Sequence, residues 1–144
     1  MTHDPGGPSR GGLPTPGGLP TPVDPVGLYR STAFAQGMIA PAGRTLYVGG
    51  QNGADSSGAL LEGLKAQTEQ AFRNVLGVLA ASGTGPEYVV RLTIHVAPGI
   101  DPTDGYAATG AVWGEHRTAV TVLAVAPARP GALVEIDAVA VIPD

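Results

Sequence analysis

The stretch that most constrains how this chain can fold is its C-terminal run Ala132–Ile142, ALVEIDAVAVI. Side chains alternate across a strand. Val134, Ile136, Ala138 and Ala140 therefore face one way, and Leu133, Glu135, Asp137 and Val139 face the other. Both faces carry aliphatic groups, so the strand belongs inside a sheet that is covered on both sides. The preceding run, Thr118–Val125, is also apolar and is separated from it by a turn rich in Pro and Gly. The two read as a closing hairpin.

Upstream, Thr32–Ile39 and Thr45–Gly50 read as another hairpin around the turn Pro41–Arg44, its second strand halting at the pair Gly49-Gly50. Leu61–Ala81 is the clearest helix. Leu61, Leu64, Ala71, Phe72, Val75, Leu76 and Leu79 recur at helical spacing as one apolar stripe, and Gly83 supplies the stop. Tyr88–Val96 alternates as a strand and puts His95 on a solvent face. Asp101 and Asp104 read as turn formers and cap of a second helix, Tyr106–Glu115, anchored by Tyr106 and Trp113. The order β-β-α-β-α-β-β predicts an α+β fold, a mixed sheet with two helices on one face. No further helix remains for the second face. An oligomer whose subunits bury each other's sheets is predicted.

Composition narrows the function. Residues 1–25 hold two copies of GGLPTP, at 11–16 and 17–22, and read as a flexible tail ahead of one domain over 26–144. Net charge is −4 and there is no basic run, which argues against nucleic acid as a partner. Cysteine is absent, which excludes disulfides and thiolate chemistry. His3, His95 and His116 are too scattered for a metal set, and no nucleotide or cofactor motif is present. No apolar run reaches membrane-spanning length and no signal peptide is visible, so a cytoplasmic protein is expected.

One carboxylate stands out. Glu135 shares a strand face with large apolar residues. It is either a solvated or ion-paired strand residue, or an acid, base or water-positioning group in an interface cleft.

The motifs FAQG at 34–37, LYVGGQ at 46–51, QTEQAFRNVLGVLAASG at 67–83, VVRLTIHV at 89–96 and GALVEIDAVAV at 131–141, in that order, resemble the RidA (YjgF-type) family of reactive-imine deaminases. The resemblance implies a chorismate-mutase-like α+β fold. It also implies a homotrimer around a central sheet-lined barrel, with small-molecule clefts between subunits and no cofactor. The implied activity is hydrolytic deamination of a small imine or enamine, with Glu135 positioning the attacking water. The amide of Gly50 would contact a substrate carboxylate. Phe34 and Gly49 stand where the family carries a tyrosine and a serine.

The family's substrate-gripping arginine can be laid on this chain in two registers. Without gaps, Val120 occupies that position and Arg117 is an approach-loop residue. With a deletion before Arg117 and an insertion near Pro127–Pro130, Arg117 is the gripping arginine. The gapless register is the simpler one. It implies a cleft lined by Phe34, Gly49 and Val120 that is far less polar than a deaminase cleft. Two other functions stay open beside deamination: binding or conversion of a more apolar metabolite, and a non-catalytic binding role.

Overall fold

The computed structural model describes residues 18–144, so most of the repeated GGLPTP segment lies outside the described residues. Its strands are β1 (Thr21–Val23), β2 (Gly37–Ile39), β3 (Arg44–Asn52), β4 (Val89–Val96), β5 (Ala119–Ala124) and β6 (Val134–Ile142). The helices are α1 (Leu64–Ala81) and α2 (Thr103–Trp113), with one 3₁₀ turn at Pro86–Tyr88.

The main sheet has the order β3-β6-β4-β5. Strand β6 runs antiparallel to both neighbours, and β4 runs parallel to β5. Each parallel step is bridged by a helix, α1 between β3 and β4 and α2 between β4 and β5. Connections of this kind place their helices on a sheet face. The core forms where α1 meets β6 and β3, with β4 alongside β6. Phe72, Val75, Leu79, Leu92, Val134 and Ile136 are all fully buried there. The Trp113 ring closes one end, 5.4 Å from that of Phe72.

The alternation predicted for β6 holds. Val134, Ile136, Ala138 and Ala140 are buried under the helices, and Glu135, Asp137 and Val139 are half-buried on the other face. Across the strand register that second face also carries Tyr47, Arg91, Thr93 and His95. No helix covers it.

Several boundaries and pairings differ from the sequence expectation. The closing strands are not a hairpin, because β4 is inserted between β5 and β6. Periodicity tells a strand's faces but not its neighbours. Likewise β2 pairs with β1 rather than with β3. Thr21–Val23 falls within the expected tail, yet it forms this antiparallel ladder from Thr21↔Ile39 to Val23↔Gly37.

Strand β3 does not halt at its glycine pair. It continues to Asn52 through a bulge between Val48, opposite Ala138, and Gln51, opposite Ile136. Two glycines there oppose one residue of β6, an arrangement that bends a strand without ending it. Helix α1 begins at Leu64 rather than Leu61, since Gly63 sits at φ 85°, outside the helical region. Its end follows the sequence. Gly83 is left-handed at φ 78°, its N–H donates to Ala80 O, and Thr84 N–H donates to Leu79 O. Helix α2 starts at Thr103, earlier than predicted, because Asp101 Oδ1 accepts from both Thr103 N (2.9 Å) and Thr103 Oγ1 (2.6 Å).

Candidate functional site

Glu135 lies one residue inside β6, directly opposite Asn52 of β3 and His95 of β4. Directly opposed residues of antiparallel strands present their side chains on the same face, with Cβ atoms about 5 Å apart. His95 is thus Glu135's neighbour rather than a plain solvent-face histidine, and its Nδ1 is buried without a hydrogen-bond partner. The bulge brings Gly50 against the carboxylate. A methyl group on Gly50 would lie 2.8 Å from Glu135 Cδ and 2.9 Å from Oε1. The missing side chain at Gly50 makes room for the acid.

Side-chain amides, buried or half-buried, fix this corner. Asn74 of α1 donates to Asn52 O (3.1 Å) and Ala54 O (3.0 Å), and Gln70 Nε2 donates to Asn74 Oδ1 (2.8 Å). Gln67, 3% exposed, donates to Leu61 O and Gly131 O and accepts from Leu133 N at 2.8 Å. The start of β6 is thereby anchored to α1. The ion pairs among the described residues, Arg73–Glu69 and Arg117–Asp24, leave Glu135 out.

Arg117 has a different setting. Its Nη2 donates to Asp24 Oδ2 (2.8 Å), to Ser31 O (2.9 Å) and to Phe34 O (2.8 Å). The other Asp24 oxygen accepts from Gln36 N, and Gln36 Nε2 donates to Tyr29 O. The Asp24 carboxyl is held below the usual carboxylate range, first by the Arg117 hydrogen bond and then by the Gln36 amide. Arg117 therefore clasps the segment Asp24–Gln36 onto the body of the domain.

Arg117 is also distant from Glu135. It stands two residues before Ala119, which pairs with Arg91, whereas Glu135 pairs with His95. Six residues at roughly 3.3 Å each separate the two levels by about 20 Å along the strands.

Val120 pairs with Leu92, which is buried on the helix side of the sheet. It lines a cavity of about 200 Å³ together with Phe34, Ile94, Trp113, His116 and Val122. The structure thus brings Phe34 and Val120 together, and separately brings Gly50 and Glu135 together. These two groups lie on opposite faces of one chain's sheet.

A mixed sheet in which β6 is inserted into the first of two parallel βαβ steps, helices on one face and a second face that no described helix covers define a class of small α+β domains. Comparisons give its family. The model of the family described as endoribonuclease L-PSP matches residues 27–142. The Rid-family protein YyfB of Yersinia pestis superposes with a TM-score of 0.77 at 32% identity, over 85% of this chain and 98% of that one. RidA from the Antarctic bacterium Psychrobacter sp. PAMC 21119 gives a TM-score of 0.64 at 30% identity, over 84% and 93%. A RutC family protein of Aquifex aeolicus (strain VF5) is 34% identical over 73 residues, 50% of this chain and 53% of that protein. The chain spans about half the length of that relative.

The chain belongs to the RidA-type (endoribonuclease L-PSP) family. Among the described residues, no helix is long and apolar enough to cross a membrane.

Proposed function

We propose that the protein binds a small, largely apolar metabolite of imine or enamine type in a cleft between the subunits of a homotrimer, with Glu135 as its acid–base group. The observation that carries this reading is the engagement of Arg117. Its Nη2 is committed to Asp24 and to the carbonyls of Ser31 and Phe34, while its Nε is buried without a partner. A bidentate grip on a substrate carboxylate through Nη2 would have to displace these partners. Val120 and Phe34 meanwhile present hydrocarbon to the cavity.

The position of Glu135 supports the trimer. One chain keeps the Phe34–Val120 cavity and the Glu135–Gly50 corner on opposite faces, so a cleft containing both needs a second subunit. The uncovered face of β6 is the surface such a subunit would use.

Hydrolysis would then proceed in balanced steps. Glu135 takes a proton from water as the oxygen bonds to the imine carbon, and the C=N π pair moves to nitrogen. The proton is returned to that nitrogen. Glu135 then takes the hydroxyl proton of the carbinolamine and delivers it to the amine nitrogen; the O–H pair forms the carbonyl as the C–N bond breaks, releasing ammonia and a carbonyl compound.

Ammonia release from imines generated in situ tests this. The series should run from 2-aminoacrylate to imines bearing longer aliphatic chains and no carboxylate. Turnover should favour the apolar substrates and be lost in Glu135→Gln. A preference for 2-aminoacrylate that disappears in a folded Arg117→Met variant would overturn the reading in favour of carboxylate recognition. Ligand binding without turnover in both wild type and Glu135→Gln would indicate a binding protein.

A further inference from the structure

A second, smaller cavity of about 40 Å³ lies beneath α2, between that helix, the first turns of α1 and the sheet. Its walls are hydrocarbon from Leu64, Ile94, Val122 and Val134, with Thr68, Tyr106 and Thr109 as the polar residues among them. Thr68 of α1 is 3% exposed, and its Oγ1 is buried with no hydrogen-bond partner. Helical threonines commonly satisfy their hydroxyl on the carbonyl four residues back. Thr109, on the same cavity, does so with Gly105 O at 2.8 Å. Thr68 does not, and valine would fill the same volume without an orphaned hydroxyl.

The opposite wall repeats the pattern. Gly105 sits inside α2, where alanine would favour the helix. A methyl group on it would meet Leu64 Cδ2 at 3.6 Å and Thr68 Oγ1 at 3.8 Å, ordinary contact with no clash. Neither residue is the choice that stability alone would make. Together they leave a space with one unpartnered buried hydroxyl, that of Thr68, beside it. That space shares Ile94, Tyr106, Thr109 and Val122 with the larger cavity lined by Phe34 and Val120.

We infer that the cavity under α2 is a binding pocket for a short aliphatic chain carrying one hydrogen-bond acceptor, a carbonyl or ether oxygen, which takes the Thr68 hydroxyl. This deepens the proposed function by naming the ligand's apolar arm. It rests on that reading only for the place of the reacting end.

The test is amide-shift mapping of the full ¹⁵N-labelled chain with 2-pentanone, and with n-pentane as the hydrocarbon control. Saturable shifts are expected at Thr68, Gly105 and Thr109. Thr68→Val keeps the shape and removes the hydroxyl. It should weaken 2-pentanone by about 3- to 10-fold, the worth of one hydrogen bond, and leave n-pentane unchanged. Gly105→Ala should abolish both while melting no lower than wild type. Equal 2-pentanone affinity in Thr68→Val, or shifts confined to the surroundings of Phe34 and Val120, would overturn the pocket. Its failure and that of the proposed reaction are separable. Shifts retained in a turnover-dead Glu135→Gln support the pocket alone, and turnover without these shifts sinks the pocket alone.

Discussion

Replacing Arg117 by methionine keeps most of the stem's packing and removes the guanidinium. The bonds to Ser31 O and Phe34 O are lost, along with the Asp24 pair. Hydrogen bonds from a charged donor contribute about 1.5–3 kcal/mol each. The freed carbonyls recover part of this from water once the segment loosens, so the two together should cost about 2–4 kcal/mol of local stability. At about 1.4 kcal/mol per tenfold, opening of the segment becomes roughly 30- to 1000-fold more frequent.

Native-state hydrogen exchange reads this directly. The amides of Ala35, bonded to Thr118 O, and Gln36, bonded to Asp24 Oδ1, should exchange faster by that factor. Ile136 and Leu92, deep in the main sheet, should change little. Unchanged protection at Ala35 and Gln36, combined with lost ligand binding, would refute the reasoning. It would return Arg117 to the role of a ligand-gripping residue.

Other expectations follow from the same geometry. Gly50→Ala should displace the Glu135 carboxylate, because its methyl group would lie 2.8 Å from Cδ. A flexible side chain can yield, so stability should fall by less than about 1 kcal/mol. Turnover should fall by about 10- to 100-fold, and a kinetic assay beside a melting curve separates the two effects. Gly53→Ala is the converse case. Its methyl group would lie 2.3 Å from Gln67 Cα and 2.4 Å from Gln67 O, backbone atoms that cannot rotate away. A loss of about 3 kcal/mol or more should appear in urea unfolding. The clasp should also respond to acid. Asp24 titrates below its ordinary 3.8 when folded, so its contribution is complete above that pH and fades as pH falls through the lowered value. Proteolysis within residues 24–36 should therefore rise below about pH 4, and Asp24→Asn should show that sensitivity already at neutral pH.

Much of this architecture was written in local pattern. The two-residue period of β6 assigned each side chain to its correct face, and the stripe on α1 gave Phe72, Val75 and Leu79 as core. Both signals are short-range consequences of burial. Strand order is not, and the insertion of β4 beside β6 left no mark on either strand's periodicity.

The candidate site was partly legible for the same reason. Glu135 was conspicuous as a carboxylate among aliphatic neighbours. The nearness of His95 became visible only through the register between β4 and β6. Arg117 was hardest to read. Its acceptors lie 83 to 93 residues earlier in the chain, around a stretch whose Pro and Gly content resembles tail. Thr68 and Gly105 looked like ordinary helix residues, because nothing local says that a hydroxyl will lack a partner.

The Asp24–Arg117 clasp also decides where this domain can be cut. A chain trimmed to begin at Val26, just after the low-complexity stretch, would discard β1 and Asp24 together. Arg117, only 22% exposed at its side chain, would keep its charge and lose its counter-ion. The wall holding Phe34 would loosen with it. A fragment chosen for tidiness at its N-terminus would then alter a cavity whose two walls, Phe34 and Val120, lie more than 80 residues apart along the chain. A few residues at the margin of a repetitive stretch thus hold the wall that carries Phe34, and fusion tags or cleavage sites belong ahead of Leu19 rather than after it.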